Sequence, residues 1–402
     1  MPYTTMKKLA FIIPWFSEDV RGGAEVDLRD TTLQLAARGV ELEIFATCVE
    51  SFSSDWSVNF FPEGIGRING ITVRRFAANA REETAFGPVN ALLMQGKQPS
   101  LAQEGIFFNE MVSSDDMVDY ITHHRMEYSS FVFIPYLFGT TYFGAAAAGK
   151  QAVLIPCLHE EAYVHMQLMQ KCFEHVGGIV FHAEPESDLA HAIYHLDYIP
   201  TIVAGAGMDV SISGDARHFR EKYKMNAPFI LYAGRKDAGK NVDTLVKNFL
   251  IWKACTPKNE VKLVLIGGGT LSLPADAKED ILDFGYVPLQ DKYDAMAAAT
   301  CLCQPSLHES FSLVIMESWL CGRPVLVHEN CAVTKNFAQK SNGGLYFNTP
   351  EEFICALNYL LEHPQIADEM GQNGSAYVKE NFSWDTVSQR YIDFFEQLSR
   401  EQ

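Results

Sequence analysis

The strongest constraint in this 402-residue sequence is a repeating texture. Short apolar runs rich in β-branched and aromatic residues alternate with longer, helix-patterned stretches. The first half offers "LAFIIPWF", "ELEIFATC", "ITVRRFA", "SFVFIPY", "AVLIPCL", "GIVFHA" and "TIVAGAG". The second offers "FILYAGR", "VKLVLIGGG", "ILDFGYV", "TCLCQPS", "RPVLVHE" and "GGLYF". Stretches such as 24–38, 159–176, 240–254 and 313–322 carry helical patterning between them. Near-continuous apolar strands joined by helices predict parallel sheets covered on both faces, an α/β fold. Thirteen runs exceed one comfortable sheet, so two doubly wound domains are expected. The polar, glycine-bearing stretch at about 205–228 is the natural seam, with a first domain over 1–206 and a second over 207–383. In open α/β sheets ligands bind beyond the carboxyl ends of the strands, so two such domains predict a cleft between them.

Composition narrows the classes. Hydrophobic residues at 48% and charged residues at 20% describe an ordered globule. A net charge of −18 argues against a protein that binds nucleic acid by neutralising phosphates. No apolar run approaches the roughly 20 residues that span a bilayer. "LAFIIPWF", followed by "SEDVRGGAE", reads as a first strand and not as a signal peptide. The nine cysteines are scattered, and Cys301 and Cys303 fall on one face of a strand, as buried small hydrophobes in a reducing cytosol would. No C-x-x-C or D-x-D pattern points to a metal.

Four stretches carry chemistry. "RGGAEVDLRD" follows the first strand, where Gly22 and Gly23 admit a ligand to backbone and the next helix offers free N–H groups to an anion. In "YAGRKDAGKNVDTLVKNF", Arg235 ends a strand and Lys240 sits at the mouth of the next helix, two cations suited to a diphosphate. "LVLIGGGT" runs a strand into Gly267 and two more glycines without the G-x-G-x-x-G spacing, which fits close backbone access to a base or ribose. "HESFSLVIME" sets Glu309 and Glu317 eight positions apart across a strand-to-helix junction. Eight helical residues span about 12 Å, the reach of a ligand with hydroxyls at both ends and a charged middle. The N–H groups of Ser312, Leu313 and Val314 would face that middle.

These stretches, with "FGYVP", "PSLHESFSLVIMESWLCGRPVL", "GGLYF" and "NFSWDTVSQRY", resemble in order and spacing the retaining glycosyltransferases of family 4, which have the GT-B fold of two facing Rossmann-like domains. The resemblance spans essentially the whole chain. It implies that Gly23, beside Gly22, lies against the donor diphosphate, and that Arg235 and Lys240 clasp it. It further implies that Glu317 holds the ribose hydroxyls, that Tyr286 and Val287 border the base, and that Glu309 touches the donor sugar. Ser310, Phe311, Ser312, Leu313 and Val314 would supply backbone donors. His159 in "IPCLHEEAYVHM" matches the family's histidine near the reacting carbon, with His182 in "FHAEPE" as its competitor. Residues 384–402 should form a helix crossing back onto the first domain. Two departures stand out: Glu309-Ser310-Phe311-Ser312 replaces the E-G-F-G of many relatives, and Asn241 replaces a glycine after the lysine.

The resemblance implies a metal-independent, retaining hexosyltransferase without a cofactor, with a UDP-sugar, UDP-glucose above others, as donor. It implies a glycan or lipid-linked glycan as acceptor, in polysaccharide assembly, and no nucleic-acid partner. The expected location is cytoplasmic, with peripheral association at the inner membrane face as the family's habit. A sugar-nucleotide epimerase, a phosphorylase and a non-catalytic relative are the competing readings. The phosphorylase would need a pyridoxal phosphate lysine in a matching context, and the non-catalytic relative would predict damage at Arg235, Lys240 or Glu309. On the acceptor side, the aromatics Trp56, Phe60, Phe61, Phe107 and Phe108 face a saccharide or pack the core.

Overall fold

The structure, a computed structural model, describes residues 7–19 and 22–401. Arg21, the first residue of the "RGGAE" stretch, lies outside them. The chain forms two compact units, Met1–Gly207 with Trp384–Gln402, and Met208–Ser383.

Unit 1 holds strands β1 (Lys8–Ile12), β2 (Leu42–Thr47), β3 (Gly64–Ile68), β4 (Ile71–Phe76), β5 (Tyr128–Phe133), β6 (Ala152–Leu154), β7 (Gly178–Phe181) and β8 (Thr201–Val203). They form one sheet in the order β3-β4-β2-β1-β5-β6-β7-β8, parallel except for β3. Strands β1, β2 and β5 to β7 are almost wholly buried, the signature of a sheet covered on both faces. Phe45, Phe131, Phe133, Phe107 and Phe108 fill the core on one side, each contributing roughly 1.5–3 kcal/mol of burial. The terminal helix Trp384–Glu401 sets Phe395 edge-on against Phe11 of β1, with ring centroids 6.3 Å apart.

All thirteen apolar runs are strands, and β3 is a fourteenth among the described residues. Its sequence, "GIGRI", has little apolar pattern because four of its five residues are exposed on the sheet's edge. The signal that betrays it is the turn. Ile68 pairs with Ile71 across Asn69–Gly70, both with positive φ (51° and 82°), as a two-residue hairpin requires.

The expected helix over 159–176 is broken. Residues 159–161 are irregular, a 3-10 turn covers Ala162–His165, and the α-helix is Gln167–His175. The reason is a cap from far away in sequence: buried Glu104 accepts from the N–H groups of Gln167 (3.0 Å) and Leu168 (2.8 Å). That carboxylate fixes where the helix begins.

Unit 2 holds β9 (Phe229–Ala233), β10 (Lys262–Ile266), β11 (Ile281–Asp283), β12 (Leu302–Gln304), β13 (Val325–His328) and β14 (Gly344–Phe347), all parallel in the order β11-β10-β9-β12-β13-β14. This is the doubly wound order, with strands running outward from β9 and then from β12 on its other side. Cys301 and Cys303 share a buried face, Sγ to Sγ 3.9 Å, beside Trp252 and Phe249. The switch point lies between β9 and β12. Whatever follows these two strands is placed where doubly wound folds bind ligands.

Candidate active site

After β9 the chain bends through Gly234 and Arg235, held by the Tyr232 hydroxyl, which donates to the Arg235 carbonyl. Burial, followed by the Glu309 and Asp237 charges, pushes the Tyr232 hydroxyl well above its usual pKa, so it remains a donor. Arg235 projects outward with 62% of its side chain exposed, its Nε 3.4 Å from Asp237. A 3-10 turn, Ala238–Lys240, leads to Asn241 and the helix Val242–Cys255. Asn241 takes the left-handed conformation (φ 55°) that asparagine tolerates better than most residues. Its amide donates to the Pro305 carbonyl at 3.0 Å, tying the loop after β9 to the loop after β12. The residue that stands where relatives have glycine thus keeps a glycine-like backbone and adds a cross-loop bond.

That tie brings Lys240 and Glu309, 69 positions apart, to 2.7 Å. Gln304, at the end of β12, donates to the same Glu309 oxygen at 2.9 Å. Glu309 is mostly buried and Lys240 is a quarter exposed, so the pair faces outward only in part. The helix Leu313–Leu320 begins just beyond, and its first-turn N–H groups have no carbonyl above them in the helix. The Phe311 side chain turns inward, packing edge-on against Phe337 (5.3 Å) and Phe382 (5.0 Å).

Ser312 adopts φ 81° and ψ 77°, a left-handed conformation that costs a non-glycine residue free energy. It is buried, and its hydroxyl has no hydrogen-bond partner among the described residues. Ser310, Leu313 and Val314 are half-buried around it. Inside the helix, buried Glu317 receives Lys292 Nζ on both carboxylate oxygens, at 2.7 and 2.8 Å, and Tyr293 Oη on one at 3.4 Å. Burial and the Glu317 charge raise the Tyr293 hydroxyl well above its usual pKa, and raise the neighbouring Cys321 thiol to about 12.

The glycine stretch after β10 has a backbone explanation. Gly267 has φ 122°, and a Cβ there would fall 2.1 Å from the Gly234 carbonyl oxygen, so two strand ends approach too closely for any side chain. Tyr286 lies over Gly268, where a Cβ would meet its Oη at 2.3 Å. Tyr286 is 70% exposed and Val287 beside it is half-buried. Lys236 locks this region: its buried ammonium donates to the Gly267 carbonyl and to Asp283 Oδ1, each at 2.6 Å. The carboxyl ends of β9, β10 and β11 are therefore fastened together by one lysine.

Residues 215–377 match the protein family described as Glycosyl transferases group 1. The chain carries a group 1 glycosyltransferase domain. Among curated relatives, D-inositol 3-phosphate glycosyltransferase of Gordonia bronchialis is 24% identical over 389 residues, covering 90% of this chain and 81% of that protein. Among solved structures, sucrose-phosphate synthase of Thermosynechococcus elongatus superposes with a TM-score of 0.73 at 16% identity, covering 98% of this chain and 100% of that one. Anabaena Alr3699/HepE, solved in complex with UDP-glucose, gives a TM-score of 0.67 at 16% identity over 98% of this chain and 100% of that one. The two-unit α/β architecture with parallel sheets matches GT-B glycosyltransferase structures.

In unit 1, the two histidines separate clearly. His159 lies on the loop after β6 with 31% of its side chain exposed, its Nε2 3.3 Å from Glu161. His182 is buried, and its Nε2 lies 3.0 Å from Asp27 Oδ2. Only His159 has the exposure to reach a ligand. Gly22 is the N-cap of the helix Gly23–Ala37, and a Cβ on Gly22 would lie 1.6 Å from the Glu25 carboxylate. Glu25 also accepts from Trp15 Nε1 at 2.6 Å. The helix end expected to be open at Gly22 is thus covered by its own acidic side chain, while Gly23 has open space around it. The aromatics divide too: Phe107 and Phe108 are core, Phe60 is 58% exposed, Phe61 is half-buried, and half-buried Trp56 stacks on Trp15 at 5.9 Å.

Sequence reading missed Gln304, Lys236 and Lys292. In sequence each is an ordinary polar residue at a strand end, in a loop or on a helix, and only the fold brings it to a carboxylate or a carbonyl. It also missed His218, Asp291 and Asp294, whose ligand atoms lie within 4.8 Å of one another. These groups are already engaged: His218 Nδ1 is 2.6 Å from Asp294, and Asp291 accepts from Lys222 (2.9 Å) and Tyr223 (2.6 Å). They join the helices Ala216–Lys222 and Leu289–Ala298.

Proposed function

We propose that this glycosyltransferase moves a hexosyl group from a UDP-sugar, UDP-glucose above others, to a hydroxyl of a glycan or lipid-linked glycan, with retention at the anomeric carbon and without a metal. The carrying observation is the Lys240–Glu309 pair, 2.7 Å apart, at the switch point of unit 2. The UDP-glucose bound by Alr3699/HepE, which shares the fold, supports the choice of donor.

In this reading Arg235 and Lys240 bind the donor diphosphate, helped by the first-turn N–H groups of the Leu313–Leu320 helix. Lys240 leaves Glu309 for the phosphate or bridges the two, and Glu309 then accepts hydroxyls of the sugar. Glu317 accepts the ribose hydroxyls. Tyr286 and Val287 border the base at the strand ends that Lys236 fastens. The bond from the anomeric carbon to the diphosphate oxygen breaks as the acceptor oxygen bonds to that carbon on the same face. The acceptor proton passes to the departing diphosphate oxygen, so the leaving group serves as base. Stabilisation of developing negative charge by these two cations is the main catalytic contribution. The exposed aromatic ring of Phe52, 5.9 Å from Trp56, is suited to the apolar face of an acceptor sugar.

The test is a thermal-shift screen of UDP-, GDP- and ADP-sugars, followed by product analysis with the donor that binds. A shift with UDP-glucose and transfer that survives EDTA are expected. Strong preference for another base, loss of transfer on chelation, or inversion of the anomeric centre would each overturn the corresponding part.

A further inference from the structure

We propose that Lys292 is a positioning residue for nucleotide recognition: it holds the Glu317 carboxylate in the orientation that reads the ribose diol. This rests on the reading that Glu317 binds the ribose. The ammonium donates to both Glu317 oxygens, at 2.7 and 2.8 Å. The Lys292 side chain is 21% exposed and that of Glu317 is 10% exposed, so the pair is shielded from bulk water on most sides. An ionised carboxylate offers about four lone-pair sites, and one ammonium on both oxygens occupies two. Tyr293 Oη approaches one of the oxygens at 3.4 Å, a weak contact that a ribose hydroxyl can displace, so two sites serve the two hydroxyls of a ribose.

Two physical consequences follow. A glutamate side chain has three rotatable bonds, and a fixed cation across both oxygens removes most of their freedom before the ligand arrives. Lys292 also offsets the Glu317 charge. Without it, an unpaired, largely buried carboxylate would stand in the site that receives an anionic nucleotide. The lysine sits at the fourth position of the helix Leu289–Ala298, with its ammonium 5.1 Å from the centroid of the Tyr293 ring. Its stem is therefore placed by a helix and its head by the carboxylate and the aromatic ring.

The decisive measurement is the ratio of calorimetric affinities for UDP and 2′-deoxy-UDP, taken on the full chain for wild type, Glu317→Gln, Lys292→Met and Lys292→Gln. Wild type should favour UDP by about tenfold, the worth of one hydrogen bond to a charged acceptor. Glu317→Gln should reduce that preference to about twofold or less. Lys292→Met should do the same, and Lys292→Gln, which keeps a donor without the charge, should fall between. A general loss of structure would weaken both ligands alike and leave the ratio near its wild-type value. If Glu317→Gln removes the preference while the Lys292 variants retain it, the lysine assignment is wrong and the ribose reading stands. If Lys292→Met does not fold, a wild-type ratio in Lys292→Gln has the same meaning. If Glu317→Gln keeps the full preference, or wild type fails to bind UDP, the ribose reading falls and the inference falls with it.

Discussion

On either side of the switch point in unit 2, the chain after β9 and β12 supplies Lys240 and Glu309, an ion pair partly open to solvent. At the equivalent place in unit 1, the chain after β1 and β5 supplies Trp15 and Phe138, stacked edge-on at 5.0 Å and almost fully buried. Unit 1 has a charged pair at a strand end as well, His182 with Asp27, but both partners are buried. The same parallel topology thus carries two kinds of charge. Pairs that keep some water contact, with lone pairs and protons to spare, are available to a ligand. A sealed pair spends its charge on its partner and holds the fold. Mutations at the first should therefore appear in kinetics, and mutations at the second in stability.

The largest effect that would sharpen this contrast is at Lys240. Lys240→Ala should lower kcat/KM for transfer by about 10²–10³-fold, the usual cost of one electrostatic contact to a developing charge. Unfolding midpoint should change little, because Glu309 keeps its bond from Gln304. An active Lys240→Ala enzyme would break the assignment of unit 2 as the catalytic side.

Next comes the sealed pair. His182→Ala should cost about 3 kcal/mol of stability, since it leaves Asp27 buried without its imidazole. It should also flatten the pH dependence. Burial by itself lowers the His182 pKa, but the Asp27 charge and hydrogen bond and the Cys157 thiol outweigh it, so the folded value lies well above 6.5. A pKa raised in the folded state means that protonated His182 contributes stability fully below the unfolded value of about 6.5. That contribution is lost as pH rises through the folded value. Wild type should lose stability over this alkaline interval in urea titrations, and His182→Ala should lose less.

A smaller effect is expected at Glu317. Glu317→Ala should raise the donor KM by about tenfold and lower kcat by less, as uniform binding of the ribose requires. A fall in kcat at unchanged KM would contradict that role. The smallest expected effect is a gain. Ser312→Gly removes a strained left-handed serine and a buried hydroxyl that has no partner among the described residues, and should raise stability by about 1 kcal/mol in a melting experiment. If donor preference also changes, the loop between the two glutamates contributes to sugar choice.

Much of the fold was legible because strand burial writes itself into composition. Runs such as "KLVLI" and "FILYA" must be apolar on both faces to lie inside a covered parallel sheet. "GIGRI" escaped because an edge strand carries no such requirement, although Asn69–Gly70 marks its turn. The site was legible where local geometry demands a residue type: the glycines after β10, and the carboxylates flanking a helix N-terminus. Gly267 is needed because a neighbouring carbonyl occupies the space of its Cβ, a contact within the sheet that no ligand argument from sequence had included.

The sequence by itself therefore determined the strands, the doubly wound class and the positions of Arg235, Lys240, Glu309 and Glu317 at strand and helix ends. These follow from short-range rules of burial, turn geometry and helix termini. The tertiary structure decided which charge meets which. Lys240 lies 69 residues from Glu309 and Lys292 lies 25 from Glu317, and the strand order, with the loops and helices it sets side by side, brings each pair within hydrogen-bond reach. It likewise sent His182 into the core with Asp27, 155 residues away, and left His159 at the surface. Charge pairing acts over a few ångströms in space, and only the folded chain fixes which residues lie that close.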